Sequence, residues 1–175
     1  MVRKEVELLI REAEAQDAAE LVAFLNQVGT ETDFMTLDEN GIDLTAEEMA
    51  YVIERHAALD NHLYLLAVLD GEIAGILSIA ADNAKRVQHI GDIFIVVQKK
   101  YQNQGLGRIL LEEGLDWAEN YSQTIRRLQL SVQKRNGAAV HLYTSLGFSL
   151  EGLQERGAYV NDEFVDVYLM GKLIG

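Results

Sequence analysis

The sequence predicts an α/β fold in which a single mixed, mostly antiparallel twisted sheet of about seven strands carries helices on both faces. Two apolar runs joined by Asp70-Gly71 are typical of an antiparallel hairpin, because this dipeptide suits a tight turn between twisted strands. A third apolar run, residues 90–97, is followed by a helical pattern and another strand, which predicts a parallel crossover. The predicted order is β-α-α-β-β-β-α-β-α-β-β, and we expect one domain over residues 1–175.

The elements of the first half are predicted from capping residues and apolar spacing. Asp17 is placed to cap a helix over residues 18–28, where apolar side chains recur at helical spacing. Thr45 and Glu48 form a capping-box pattern at the start of a second helix. The strands predicted in this half cover residues 7–11, 63–69 and 72–80.

The elements of the second half alternate between strands and helices. The run at residues 90–97 is almost entirely apolar, which is typical of a strand covered on both faces. Asn136 is placed to begin the last helix, and Gly147 is placed to end it. The predicted strands cover residues 90–97, a segment around 128–132, 148–153 and 164–173, and the predicted helices cover 106–121 and 136–146.

Composition excludes several classes of site. The chain has no cysteine, which excludes disulfides, thiolate metal sites and a cysteine nucleophile, and no two of its four histidines have HExxH spacing, so we expect no metal. A net charge of −13 argues against nucleic-acid binding. No apolar run approaches the roughly 20 residues of a membrane span. The N-terminus becomes acidic too early for a signal peptide, so we expect a cytoplasmic protein without a membrane partner.

The segment after residues 90–97 has the features of an anion site. A polar loop leads to Gly105 and Gly107 at a helix start, where the first N–H groups have no helical partner and glycine lets an anion approach. No Lys-Ser or Lys-Thr follows as in a Walker loop, and Leu110 stands where a dinucleotide motif needs glycine. Residues 85–135 carry 9 bases and 5 acids, which suits a confined anion site or a solvated face. The glycines alone would equally suit packing at a helix start.

Several spaced motifs resemble those of the GCN5-related N-acetyltransferase (GNAT) family. Gln102-x-x-Gly105-x-Gly107 after a strand resembles the family's acyl-CoA-binding loop, and Asn136-x-x-Ala139-x-x-Leu142-Tyr143-x-x-x-Gly147-Phe148 is similar to its second cofactor motif. The segments Ile10-Arg11-x-Ala13-x-x-x-Asp17-Ala18 and Asp166-x-Tyr168-x-Met170 also look familial, so the resemblance spans most of the chain. It implies a GNAT-like sheet with a β-α-β acyl-CoA-binding crossover, acetyl-CoA as acyl donor, a small-molecule or peptide amine as acceptor, and a homodimer.

The resemblance also implies which residues hold the coenzyme. In the family, backbone N–H groups of the loop bind the CoA pyrophosphate, and the preceding strand pairs with the pantetheine arm. The N–H of Val97 would face the thioester carbonyl, and Asn136 would bond the pantetheine arm besides capping its helix. The cofactor-binding residues so implied are Ile95, Val96, Val97, Gln102, Asn103, Gln104, Gly105, Leu106, Gly107, Arg108 and Asn136.

Two side chains are candidates for catalysis. By resemblance, Tyr143 donates a proton to the departing CoA thiolate, although its place on an apolar helical stripe also suits a core tyrosine. Asp92 is the one acid in residues 90–97 and matches a family glutamate that accepts the amine proton, often through water. A plain ion-paired strand acid is the alternative reading of Asp92, and His89 is another candidate base.

The function expected from these residues is transfer of an acetyl group from acetyl-CoA to a primary amine by direct attack in a ternary complex, since no covalent nucleophile stands out. A non-catalytic acyl-CoA-binding or sensing module of the same fold is the alternative, because fold does not fix function. Nucleotide binding at the same loop is a third class. The acidic stretch 29–34 either lines an amine pocket or serves solubility.

Overall fold

The computed structural model describes residues 5–175 and contains a seven-stranded sheet of order β1-β2-β3-β4-β5-β7-β6. The strands are β1 (Leu8–Glu12), β2 (Leu63–Leu69), β3 (Glu72–Ala81), β4 (Ile90–Val97), β5 (Arg127–Gln133), β6 (Ser149–Val160) and β7 (Glu163–Leu173). The helices are α1 (Ala18–Gly29), α2 (Ala46–Ala58), α3 (Leu106–Asn120) and α4 (Gly137–Ser145), with 3-10 turns at Ala15–Asp17 and Lys99–Tyr101. Neighbouring strands are antiparallel except β4 and β5, which confirms the predicted fold class.

Two hydrophobic cores cover the two faces of the sheet. On one face, Leu21 of α1 and Ile53 of α2 are buried together with Ile76 of β3. On the other, Leu110 of α3 is buried together with Leu128 of β5. Full burial of such side chains contributes about 1.5–3 kcal/mol each. The two cores therefore fix the central strands, β3 to β5, between helices on both sides.

The parallel strands β4 and β5 separate toward their carboxyl ends. They pair from Ile90 with Arg127 to Asp92 with Gln129, and their pairing ends there. Residues 93–97 of β4 continue beside β3 alone. Since parallel strands end at the same edge of a sheet, this separation leaves an opening between β4 and β5 at the edge where α3 begins.

The β6–β7 hairpin is longer than the sequence pattern indicates. The strand predicted to end at Leu153 continues to Val160, and the turn residues Asn161 and Asp162 have φ values of 49° and 62°. The register shifts between Gln154 and Ala158, so the alternation of side chains is broken there. The prediction of a short strand was wrong because the register shift interrupts the alternation of apolar and polar residues by which a strand is recognised in a sequence.

Asp17 does not cap α1 in the way its position suggests. Its carboxylate accepts hydrogen bonds from the Arg11 guanidinium at 2.7 and 2.8 Å and from the Glu14 N–H at 2.7 Å, and makes no side-chain bond to α1. The Arg11 guanidinium and the Glu14 N–H, just before the 3-10 turn, are bonded to its oxygens instead. The capping box of α2 is confirmed, because Thr45 and Glu48 exchange hydrogen bonds as expected.

The Arg11–Asp17 pair gives the first testable prediction, which concerns stability. Asp17 is 7% exposed. Replacing Arg11 with methionine should therefore lower the free energy of unfolding by about 2–4 kcal/mol, because it leaves a nearly buried carboxylate without its charged partner. Urea unfolding at neutral pH measures the loss, and Arg86→Met, an exposed arginine, is the matched control.

The same pair gives the variant a distinctive acid response. The Arg11 hydrogen bonds hold the pKa of Asp17 below its ordinary value of 3.8. This stabilisation is thus complete above that value and is lost as pH falls through the lower pKa of the folded state. The acid-unfolding midpoint of Arg11→Met should move to higher pH. A midpoint equal to that of Arg86→Met would show that the Arg11–Asp17 pair does not stabilise the folded state.

Candidate active site

The loop between β4 and α3 leaves the first N–H groups of α3 uncovered. Gly105 directly precedes α3 with a φ of 85° and offers no side-chain cap. A β-carbon built at Gly105 meets no atom within 4 Å, so the space beside the helix start is open. Asn103 also has a positive φ, 61°, which asparagine tolerates better than most residues. This open space beside free N–H groups fits a diphosphate.

Side chains of the same loop fasten it to its surroundings. The Gln102 amide donates to the carbonyl of Val97 at 3.0 Å. The Arg108 guanidinium donates to the Ser145 hydroxyl of α4 at 2.8 Å and lies 3.7 Å from the Glu112 carboxylate. These contacts hold the loop between β4 and α4, and the main-chain N–H groups at the start of α3 stay open to an anion.

Tyr143 lies on α4, on the α3 and α4 face of the sheet. Its side chain packs against the same core as Ile95 and Val97, and its ring meets the edge of Phe148 at a centroid distance of 6.1 Å. Burial raises the pKa of Tyr143 to about 12, and no hydrogen bond or neighbouring charge contributes to that shift. The hydroxyl therefore keeps its proton at every ordinary pH and is available as a donor.

Asn136 connects β5 to α4. Its side-chain oxygen accepts a hydrogen bond from the Ala139 N–H at 3.3 Å and so caps α4. The side-chain amide donors are not needed for this cap. The capping role agrees with the sequence prediction, and the pantetheine contact stays a prediction.

Asp92 lies at the base of the opening between β4 and β5 and is exposed. It shares a strand face with Phe94, whose ring packs against the α1 and α2 core, and thus faces away from the side that carries Tyr143. Its carboxylate accepts a hydrogen bond from the Gln129 amide at 2.8 Å. The neighbouring Arg127 pairs with Glu151, so Asp92 is held by an amide and keeps free acceptor capacity.

The sequence did not predict a strap, residues 30–35, that crosses the opening. At one end, the Glu31 carboxylate accepts the N–H of Lys99, just beyond β4, at 2.8 Å. At the other, the Asp33 carbonyl accepts the Gln133 amide, at the end of β5, also at 2.8 Å. The Asp33 carboxylate accepts the Asn161 amide of the β6–β7 turn at 3.0 Å. The carboxylates of the acidic stretch 29–34 are therefore hydrogen-bond acceptors that fasten a loop.

Other clusters of polar side chains lie away from the opening. His56 and His62, with ring centroids 4.9 Å apart, line a cavity of about 220 Å³ together with Trp117 near the far end of α3. Within residues 5–175, no three His, Cys, Asp or Glu side chains are grouped as metal ligands. In the same range, no helix has the length and apolar character needed to cross a membrane.

Known proteins with similar sequences and structures agree on one family. The sequence profile of the Acetyltransferase (GNAT) family matches residues 31–148. An L-amino acid N-acetyltransferase of Escherichia coli is 31% identical over 120 residues, which are 69% of this chain and 74% of that protein. The crystal structure of a GNAT-family acetyltransferase from Streptococcus pneumoniae is 63% identical, covers 97% of this chain and 100% of that one, and has a TM-score of 0.94.

A more distant structure shares the fold alone. The phosphinothricin acetyltransferase of Sinorhizobium meliloti, solved in complex with acetyl-CoA, is 20% identical, covers 96% of this chain and 89% of that one, and has a TM-score of 0.79. The profile match covers more than half of the chain, and the open N–H loop lies within it. The chain therefore belongs to the Acetyltransferase (GNAT) family.

Proposed function

We propose that this acetyl-CoA-dependent N-acetyltransferase joins its two substrates in the opening between β4 and β5, with a primary amine of a small molecule or peptide as acceptor. One observation carries the proposal. The opening separates Tyr143 on one face of the sheet from Asp92 on the other, and the uncovered helix start lies at its edge. An acyl donor can thus approach from the α3 and α4 side while the amine approaches from the α1 and α2 side.

Each part of the opening then has a role in the transfer. The N–H groups at the start of α3 hold the pyrophosphate, the backbone of residues 95–97 aligns the pantetheine arm, and the Val97 N–H stabilises charge on the thioester oxygen. The neutral amine attacks the thioester carbon, a C–N bond forms and the C–S bond breaks. Tyr143 gives the departing thiolate a proton, and Asp92 accepts the amine proton directly or through water.

Removal of the amine proton is a substantial part of the barrier. An alkylamine with a pKa near 10.4 is almost entirely protonated at pH 7, and its neutral form costs about 4–5 kcal/mol to supply. A positioned carboxylate with free acceptor capacity meets this need. Because the chain has no cysteine, direct attack by the amine is the simplest route.

The proposal is tested by turnover on a panel of amines. The panel contains L-amino acids, which the similar E. coli enzyme is named for, together with polyamines and a short peptide, and the released CoA thiol is measured. We expect turnover with at least one amine. Binding of acetyl-CoA without turnover on any amine would favour the sensing module. The homodimer and the cytoplasmic location stay predictions, which light scattering and cell fractionation address.

The role of Asp92 predicts a pH-dependent defect. Asp92→Asn should lower kcat/KM about 10-fold or more at pH 7, because the variant cannot accept the amine proton. The defect should shrink as pH approaches the pKa of the amine, since solution then supplies the neutral form. Asp116→Asn, an exposed acid on α3, is the control. A loss that is equal at every pH would assign Asp92 a structural role.

A further inference from the structure

We propose that the acceptor carries a carboxylate, and that Arg135 binds this group where the strap meets the end of β5. The inference rests on the proposed function and names the substrate class of the same site. The opening between β4 and β5 is bounded at both ends. The Asp92–Gln129 hydrogen bond closes its narrow end, and the strap (residues 30–35) spans its wide end. An amine that enters from the α1 and α2 side therefore passes the groups that line the strap.

The acids of the strap do not form a free cation site. Both oxygens of the Glu31 carboxylate already accept hydrogen bonds, from the Lys99 N–H and from the Gln27 amide. The Asp33 carboxylate accepts the Asn161 amide. Lys99, Lys134 and Arg135 at the ends of β4 and β5 balance the charges of Glu31, Asp33 and Asp92. The local balance does not favour a polycationic acceptor.

Arg135 is the charged group that is held in place beside the strap. Its Nε donates to the Gln133 side-chain oxygen at 2.8 Å, and a terminal nitrogen donates to the Asp33 carbonyl at 3.3 Å. Its guanidinium lies over the Phe34 ring at 5.2 Å. Gln133 is 5% exposed, so a buried side chain holds the Arg135 guanidinium in place. The guanidinium is thus oriented before any ligand arrives, which lowers the entropic cost of binding.

The guanidinium also keeps donors for a ligand. These two bonds use two of the five N–H donors that arginine carries. Arg135 belongs to none of the ion pairs found within residues 5–175. An oriented guanidinium with free donors suits a carboxylate, which it binds through two parallel hydrogen bonds. Phe34, 44% exposed, offers an apolar surface next to it. The acceptor that fits is a small amine with a carboxylate and an apolar side chain.

Matched pairs of acceptors test the carboxylate. L-leucine, L-methionine and L-phenylalanine are each compared with the corresponding amide, which keeps the amine and the side chain but loses the negative charge, and spermidine is included. We expect kcat/KM to be about 10- to 100-fold higher for the acids. The α-amino group of an amide is the more easily deprotonated of the pair, so amine pKa cannot produce this preference.

Variants then assign the effect to one residue. Arg135→Gln should raise KM for the acids about 10-fold or more, with a smaller change in kcat, and leave the amides and the dissociation constant of acetyl-CoA unchanged. Lys134→Gln removes the same charge one residue away and should leave the preference intact.

The outcomes separate this inference from the proposed function. Equal or better turnover of amides or spermidine overturns the carboxylate proposal, as does an equal effect of Arg135→Gln on both members of each pair. Acetylation of other amines in the panel, but of none of these acids, also overturns it. Failure to bind acetyl-CoA at all, or turnover with no amine in the panel, counts against the proposed function itself.

Discussion

Tyr143→Phe should lower kcat by about 10²-fold or more while leaving the dissociation constant of acetyl-CoA nearly unchanged. The thiolate that leaves the thioester needs a proton, and the hydroxyl of Tyr143 carries one at neutral pH, far below its pKa of about 12. Phenylalanine keeps the ring that packs against Phe148 and removes only the donor. Steady-state kinetics and calorimetry on the same preparation separate turnover from binding.

Tyr168→Phe is the matched control for this variant. Tyr168 is also partly buried against the core under α4, so its replacement removes a hydroxyl from a similar environment. We expect its kcat to stay within about twofold of the parent, within the range of ordinary surface or packing effects. If both variants lost activity equally, or if Tyr143→Phe retained full turnover, Tyr143 would be a packing residue and the proton would come from elsewhere.

Gly105→Ala should weaken acetyl-CoA binding by about 10-fold or more. A left-handed backbone conformation costs a non-glycine residue roughly 1–2 kcal/mol, and the added methyl group enters the open space where we place the pyrophosphate. The φ of Gly105 is 85°, and its β-carbon would meet no protein atom within 4 Å, so no clash inside the protein is expected.

Gly71 provides a control with the same backbone demand. Its φ is 82°, and its β-carbon would also meet nothing within 4 Å, but it lies in the turn between β2 and β3. Gly71→Ala should lower stability by a similar amount and leave acetyl-CoA binding unchanged. If Gly105→Ala bound acetyl-CoA as tightly as Gly71→Ala, the added methyl group would not meet the coenzyme, and the pyrophosphate would not lie at this loop.

Local sequence signals predicted much of the fold because the relevant contacts are local. Asp70-Gly71 adopts positive φ values at both positions, as a tight hairpin turn requires. Thr45 and Glu48 form their capping box within a single helical turn. Where a local signal has a competitor the prediction holds only in part: α1 begins after Asp17 as expected, but the Asp17 oxygens accept from Arg11 and Glu14 and make no capping bond.

The contacts that shape the acceptor side could not be predicted, since they join distant parts of the chain. Asp33 meets Gln133 and Asn161, which lie 100 and 128 residues further along. No periodicity or motif relates these positions. In the sequence, the acidic stretch 29–34 and the base-rich range 85–135 are separate features. Only the folded structure shows that the acids fasten a strap beside Arg135 and form no ion pair with its guanidinium.

The measurement that tests the central claim most directly is a calorimetric titration of the purified chain with acetyl-CoA, repeated on Gly105→Ala and Gly71→Ala. We predict saturable heat for the parent chain and Gly71→Ala, a rise in their melting temperatures, and clearly weaker binding by Gly105→Ala. No heat and no rise in melting temperature at roughly millimolar acetyl-CoA would contradict the claim that main-chain donors at the start of α3 hold the coenzyme.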